Sequence, residues 1–323
     1  MTLSRNLLAC AAGLAALAVA NTAAARRAER RHPPEGRFVD VDGVRLHYTD
    51  RGAGRPVVLI HGNATSGQDF NTSGVAEVLV RTNRVISFDR PGSGYSERPR
   101  GRAWTAGQQA ELLHKALTKL DVQQPVVVGH SWGTVVALAL ALDHPADTAG
   151  LVLLSGYYFP TVRLDAPLVA PVAIPFLGDV LRYTVSPVLG WLLMPGFKRM
   201  LFAPAQIPAR FRQEYSSAMA LRPSQVRATA VDGTLLVPSA AALSGRYGEL
   251  EMPVVIMAGD GDKIVGNRQA RRLQRAVRGS RLGIVEGAGH MVHHLASRQV
   301  VDAIAEVERR TGDGIVQERP LAA

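Results

Sequence analysis

Pro125-Val126-Val127-Val128-Gly129-His130-Ser131-Trp132-Gly133-Thr134-Val135-Val136-Ala137-Leu138 reads as a strand, a tight turn and a helix in immediate succession. The run before Gly129 is apolar and β-branched, which suits a strand buried on both faces. The stretch from Trp132 to Leu142 is rich in Ala and Leu and almost wholly apolar, so it predicts a buried helix. Between them a serine stands two residues from a glycine on either side. A serine at a sharp strand-to-helix turn must take a strained backbone conformation, and flanking glycines give such a turn room. A plain connecting turn needs no serine between glycines. The stretch therefore marks Ser131 as a candidate nucleophile at the end of a strand.

The same kind of apolar run recurs on both sides. Pro56–Ile60 ends at His61-Gly62, Val85–Phe88 at Asp89, Leu151–Leu154 at Ser155-Gly156, Pro253–Met257 at Ala258-Gly259 and Leu282–Val285 at Glu286-Gly287. Arg45–Tyr48 alternates polar and apolar, as a half-buried strand does. Helical stretches lie between the runs, at 106–120 with apolar residues at 110, 113, 117 and 120, and at 292–309. Short apolar strands alternating with helices predict an α/β fold, a parallel sheet covered on both faces. The rhythm fails between Gly156 and Leu250, where prolines recur and aromatics such as Tyr157, Tyr158, Phe176, Trp191 and Phe202 are dense. That segment reads as an inserted, mostly helical lid.

Ligands of a parallel sheet bind at the carboxyl ends of its strands, and four of these ends carry unusual residues. Ser131 is the first. A serine hydroxyl needs a base within hydrogen-bond reach, and the base needs a carboxylate to orient it. Gly287-Ala288-Gly289-His290 offers the base, His290. Gly259-Asp260-Gly261-Asp262 offers the carboxylate, with Asp262 preferred over its neighbour Asp260 because it lies farther from the strand. His61-Gly62-Asn63 offers a backbone N–H, that of Asn63, to pair with the N–H of Trp132 as an oxyanion hole. His61, Tyr157, Tyr158 and Met291 fall at the same edge and are the expected substrate contacts.

Taken in order, Val57-Val58-Leu59-Ile60-His61-Gly62, Phe88-Asp89-Arg90-Pro91-Gly92-Ser93-Gly94-Tyr95-Ser96, Gly129-His130-Ser131-Trp132-Gly133, Gly259-Asp260-Gly261-Asp262 and Gly289-His290 resemble the α/β-hydrolase superfamily over residues 37–310. The resemblance implies a mostly parallel eight-stranded sheet with helices on both faces and an inserted helical cap. It also implies a serine nucleophile, an Asp orienter, a His base and no cofactor or metal. The core would be 37–155 and 251–310, the cap 156–250 and a C-terminal tail 311–323. Haloalkane dehalogenases and epoxide hydrolases of this superfamily use an aspartate nucleophile, and Ser131 argues against both. The expected activity is hydrolysis of an apolar ester or related acyl substrate through an acyl-enzyme. Carbon–carbon bond hydrolases, cofactor-free haloperoxidases and proline iminopeptidases share the triad and stay open as alternatives. The last bind a substrate amine with acidic cap residues, and here the lid offers Asp165, Asp179, Glu214, Asp232 and Glu249 against nine basic residues. The non-enzymatic alternative is a silent ligand-binding protein of the same fold, against which the complete triad counts.

Residues 1–31 stand apart. Arg5 precedes an apolar run from Leu7 to Ala20, and Ala23-Ala24-Ala25 offers a signal-peptidase site with cleavage after Ala25. Arg26, Arg27, Arg30 and Arg31 follow at once, a cluster that resists translocation and favours a retained membrane anchor. The chain is thus expected to be exported or held at a membrane through residues 7–25.

The 323 residues carry a formal charge of +10, with 37 basic side chains of which all but Lys115, Lys119, Lys198 and Lys263 are Arg. Five arginines against Glu29 put four of those charges in the first 31 residues. Arg268, Arg271, Arg272, Arg275 and Arg278 share one helix opposite Ala270, Leu273 and Val277, a solvated face without interleaved aromatics, so nucleic acid is not an expected partner. The single cysteine, Cys10, lies in the N-terminal segment, which excludes a disulfide scaffold and thiol catalysis. His290, His293 and His294 cluster in sequence, but no cysteine or suitably spaced carboxylate completes a metal site around them.

Overall fold

The computed structural model describes residues 2–162 and 166–317; Asp165 and the last six residues of the tail lie outside them. Helix α1 (Thr2–Arg31) leads into the antiparallel pair β1 (Arg37–Val41) and β2 (Val44–Arg51). Strand β3 (Arg55–Ile60), short helices α2 (Gln68–Thr72) and α3 (Val75–Leu79), and strand β4 (Asn83–Phe88) come next. They are followed by α4 (Ala106–Lys119), β5 (Val126–His130), α5 (Trp132–Asp143) and β6 (Gly150–Leu154). An insertion then runs through α6 (Ala166–Ala173), α7 (Leu177–Tyr183), α8 (Val185–Phe202), α9 (Ala209–Glu214), α10 (Ser217–Ala220) and α11 (Pro223–Leu243). The chain closes with β7 (Val254–Gly259), α12 (Arg268–Ala276), β8 (Arg281–Val285), α13 (Val292–Leu295) and α14 (Ser297–Gln317).

The eight strands form one sheet in the order β1-β2-β4-β3-β5-β6-β7-β8, parallel from β4 to β8 and antiparallel at the β1-β2-β4 edge. Its inner strands explain their own composition. Val58 and Ile60 of β3, Val127 of β5, and Leu151 and Leu153 of β6 pack with α4, α5 and α12 on one face. Val57 and Leu59, Val126 and Val128, and Val152 and Leu154 pack with α3 and α14 on the other. Successive side chains of a strand point to opposite faces, so a strand buried on both must be apolar throughout. Strands at the sheet edges need not be. Thus β1, Arg37-Phe38-Val39-Asp40-Val41, buries only Val41 and carries no continuous run for sequence reading to find.

Helix α5 is buried from Trp132 to Leu142 between the sheet and α4 and α11, which accounts for its all-round apolar sequence. Helix α4 opens with a capping box in which Thr105 and Gln108 satisfy each other's backbone N–H groups. Four of the five arginines, Arg268, Arg271, Arg272 and Arg275, lie on α12 and face solvent, while Arg278 stands exposed in the turn after it; Ala270 and Leu273 are buried, and the Arg272 guanidinium lies over the Phe159 ring at 3.9 Å. The predicted closing helix 292–309 is divided into α13 and α14 at Ala296.

The insertion joins the core at the carboxyl edge of the sheet. Asp232 of α11 takes Arg90 at 2.6 Å and Arg98 at 2.8 Å on its two carboxylate oxygens, all three residues buried. The Leu201 carbonyl at the end of α8 accepts the His290 N–H at 2.8 Å. Helix α1 packs against α7, α10 and α11.

Candidate active site

At the end of β5, Ser131 takes φ +51° and ψ −116°, the strained turn that the flanking glycines predict. Its N–H donates to Leu154 O at 2.9 Å, which fixes the turn against β6. The two glycines answer to close approach. A Cβ on Gly133 would lie 2.2 Å from Ile60 O, and one on Gly129 2.6 Å from Gly133 O. Helix α5 therefore lies hard against the end of β3, and the hydroxyl of Ser131 stands at the strand end.

His290 Nε2 lies 2.9 Å from Ser131 Oγ, and His290 Nδ1 lies 2.8 Å from Asp262 Oδ2. The other oxygen, Oδ1 of Asp262, accepts the N–H groups of Ile264 at 2.8 Å and Val265 at 2.9 Å. Those amides hold the carboxylate in one orientation, so the imidazole is presented with Nδ1 as donor and Nε2 towards the serine. Asp260 is exposed; its N–H donates to Val285 O, and its carboxylate is not the partner of His290. Of the two candidate acids, the fold brings Asp262 to the base.

The loop His61-Gly62-Asn63 reaches the serine as expected: a Cβ on Gly62 would stand 3.2 Å from Ser131 Cβ. Asn63 closes a local turn, with its Oδ1 accepting Ala64 N–H at 3.1 Å and its Nδ2 donating to Thr229 O of α11 at 2.9 Å. Trp132 is the first residue of α5, where a backbone N–H has no carbonyl a turn below it to bond. Its indole N–H donates to Asp232 O at 2.8 Å.

His61 is placed differently from its expected role. Its Nδ1 donates to Gly62 O at 2.7 Å and its Nε2 accepts the Arg90 N–H at 2.9 Å, so neither ring nitrogen is left for a substrate. Burial, reinforced by the neighbouring Arg90 charge, pushes its pKa down to about 4, which keeps the ring neutral in this arrangement. Arg90 completes the brace by donating Nε to His61 O and Nη2 to Gly62 O. Tyr157 is buried with its hydroxyl at Thr161, and Tyr158 is fully buried beside Gly156. Met291 is buried against Leu201, Phe202 and Phe211 of the insertion. These three line the protein interior around the strand ends rather than an open surface.

Sequence reading missed Asp69. This α2 residue accepts His293 Nε2 at 3.0 Å and His294 Nε2 at 2.9 Å. The carboxylate that the histidine cluster lacked in sequence thus arrives from more than two hundred residues away. Asp69, His130 and His293 offer ligand atoms within 4.8 Å of one another. However, two of the imidazole nitrogens facing Asp69 are hydrogen-bond donors, which suits a clamp on the loop after His290 better than a metal centre. Burial pushes His293 down to about 4, so its ring is neutral at pH 7. Among the described residues the insertion's acids are also committed: Asp179 pairs with Arg100 and Arg182, Glu214 with Arg210, Asp232 with Arg90 and Arg98, and Glu249 with Arg246.

A serine, an imidazole and a carboxylate thus stand in line at a strand–helix turn on a doubly covered α/β sheet. A family profile described as the alpha/beta hydrolase fold matches residues 55–297, and the chain belongs to that family. Its curated relatives include 2-hydroxymuconate semialdehyde hydrolase of Pseudomonas sp. (strain CF600), 36% identical over 143 residues, which are 43% of this chain and 50% of that protein. The chain thus spans about half the length of that relative. Among solved structures, an esterase from Exiguobacterium antarcticum superposes with a TM-score of 0.70 at 20% identity, over 84% of this chain and 99% of the other. A bacterial membrane phospholipase A superposes with a TM-score of 0.65 at 18% identity, over 96% of this chain and 97% of the other. The relatives and structural neighbours named here are hydrolases and esterases.

Proposed function

We propose that the protein is a serine carboxylic-ester hydrolase acting on an apolar acyl ester and held at a membrane by α1. The observation that carries the chemistry is the continuous line Ser131 Oγ, His290, Asp262, with both imidazole nitrogens engaged at 2.9 and 2.8 Å. In this reading His290 takes the Ser131 proton as Oγ attacks the ester carbonyl. The N–H groups of Trp132 and Asn63 receive the oxyanion. Collapse expels the alcohol, which leaves with the proton from His290. Water, deprotonated by His290, then attacks the acyl-serine and releases the acid, restoring the serine. Asp262 holds the imidazole throughout.

Two observations support retention of α1 over cleavage after Ala25. Asn21 donates to Tyr183 O and Thr184 O, and Glu29 pairs with Arg222 at 2.9 Å, so contacts to the insertion lie on both sides of the predicted cut. The superposition on the membrane phospholipase A also leaves too little of this chain unmatched to omit α1.

Turnover of p-nitrophenyl butyrate and labelling by a fluorophosphonate probe test the reading. Wild type should do both, and Ser131→Ala should do neither, with turnover down by about 10⁴ or more. A wild-type protein that neither turns over nor labels sinks it. Carbon–carbon bond hydrolysis is the second reading, favoured by the 36% identity to the semialdehyde hydrolase. It predicts turnover of vinylogous β-diketones in preference to simple esters.

A further inference from the structure

Among the described residues, every large hydrophobic side chain that stands exposed, Val78 apart, lies on α1 or between Val162 and Met200 of the insertion. The pattern within α8 is regular. Val185, Val188, Leu189 and Leu192 recur at i, i+3, i+4 and i+7 and face outward, flanked by Trp191 (53% exposed) and Leu193. The opposite side is the buried one, with Pro187 and Met194 inward and Gly190 close against Leu221. A helix on a water-exposed surface should be polar on its outer face. Here no charged residue occurs from Tyr183 to Phe197, and Lys198 and Arg199 follow at once. An apolar outer face with an exposed Trp beside it and basic residues at one end is the pattern of a helix lying in a membrane interface.

Helix α1 identifies what covers this face. Arg5–Arg31 is long and apolar enough to cross a membrane, with its apolar window unburied by the protein. About 20 residues cross the hydrocarbon layer, and the residues from Leu7 onward reach that length just where Arg26 and Arg27 begin the basic cluster. Asn21 Nδ2 lies 2.9 Å from Tyr183 O and 2.7 Å from Thr184 O, at the junction from which α8 starts. The span and the apolar helix are thus fastened together at Asn21, about 7–8 Å inside the end of the span marked by Arg26.

We infer that the outer face of α8, with Phe176 and Leu177 just before it, is seated in the acyl-headgroup boundary of the same bilayer that α1 crosses. The other end of α8 carries the Leu201 carbonyl bonded to His290 N–H, so the seated helix runs from the lipid to the loop of the base. An ester drawn from that bilayer is the substrate class this placement supplies. That last step rests on the hydrolase reading; the membrane contact does not.

Trp191 gives a direct test, since Trp104 and Trp132 are buried in the core. The full chain is reconstituted into phosphatidylcholine vesicles with brominated acyl chains, and its tryptophan emission is compared with that in unbrominated vesicles. Bromine should quench the Trp191 contribution, and Trp191→Phe should abolish the quenching while the variant still floats with the vesicles. Unquenched emission from vesicle-bound wild type, quenching that survives in Trp191→Phe, or a Trp191 shielded by a second copy and cross-linked to it would each overturn the inference. A second variant, Leu192→Glu with Leu193→Glu, should keep wild-type turnover of soluble p-nitrophenyl butyrate. It should lose at least about tenfold in hydrolysis of an ester lipid presented in vesicles, the modest end of what two buried acids cost. Equal losses on both substrates would overturn the coupling. If wild type hydrolyses neither ester, the hydrolase reading fails while the quenching result still decides the membrane contact.

Discussion

At the residue scale the site depends on which carboxylate meets the base. Asp262 spends one oxygen on two backbone amides and the other on His290 Nδ1. Asparagine at that position keeps the shape but offers the imidazole the wrong hydrogen-bonding partner. Asp262→Asn should lower kcat by about 10⁴ with the protein still folded, whereas the exposed Asp260→Asn should leave kcat unchanged. Steady-state kinetics on both variants checks the assignment, and a larger loss in Asp260→Asn would reverse it. The residues that the fold brings into line were legible because the proposed chemistry restricts their type and the sheet fixes their place: serine between glycines, Asp and His after successive strands. The residues that brace them were not. His61 looked like a pocket residue because it follows a strand, yet its two nitrogens serve Gly62 and Arg90. Asp69 carried no signal at all, because its partners His293 and His294 meet it only in the folded chain.

Elements obey the same division. The inner strands were readable from their unbroken apolar runs, since two covered faces leave no polar position. Strand β1 was hidden by its edge position. The segment between β6 and β7 stood out in sequence by its prolines and aromatics, but periodicity gives a stripe without saying whether protein or another medium covers it, so the outward turn of α8 had to come from the structure. Among the ties between the insertion and the core is one buried acid. Asp232 neutralises one of the two arginines it touches and lends its backbone carbonyl to the Trp132 indole. Asp232→Ala strips both guanidinium groups of their buried partner and should cost about 3–5 kcal/mol of stability. It should also slacken the elbow at Trp132, so that activity falls further than the folded fraction. Urea unfolding followed alongside turnover separates the two effects, and a loss under about 1 kcal/mol would show that the ion triad is not what fastens the insertion.

For the whole molecule, neutral buried histidines set an acid limit: burial holds His61, His130 and His293 below the ordinary imidazole value. His61 and His293 both have pKa values pushed down to about 4, with burial the largest cause. Unfolding returns each to the ordinary value near 6.5, so between pH 6.5 and 4 the unfolded chain binds more protons than the folded one. Stability therefore falls as pH drops through that window, by up to about 1.4 kcal/mol per pH unit for each ring, and is unaffected by these two groups above it. Unfolding midpoints measured in urea from pH 7.5 to 4 should be level at the upper end and slope below 6.5. A flat profile across the window would mean that the rings are hydrated or charged in the native protein.

One contact has a mechanical meaning. The Leu201 carbonyl closes α8 and accepts the amide of His290, while the first turn of α8 lies beside α1. Pro195 stands inside α8 and cannot donate a backbone hydrogen bond, so α8 is a jointed rather than a rigid connection between Val185 and Leu201. In the proposed mechanism the imidazole must stay within about 0.5 Å and 10–20° of its line to Ser131 Oγ to pass a proton. The loop that carries His290 thus hangs on one end of α8, while the other end of that helix lies against α1, outside the site.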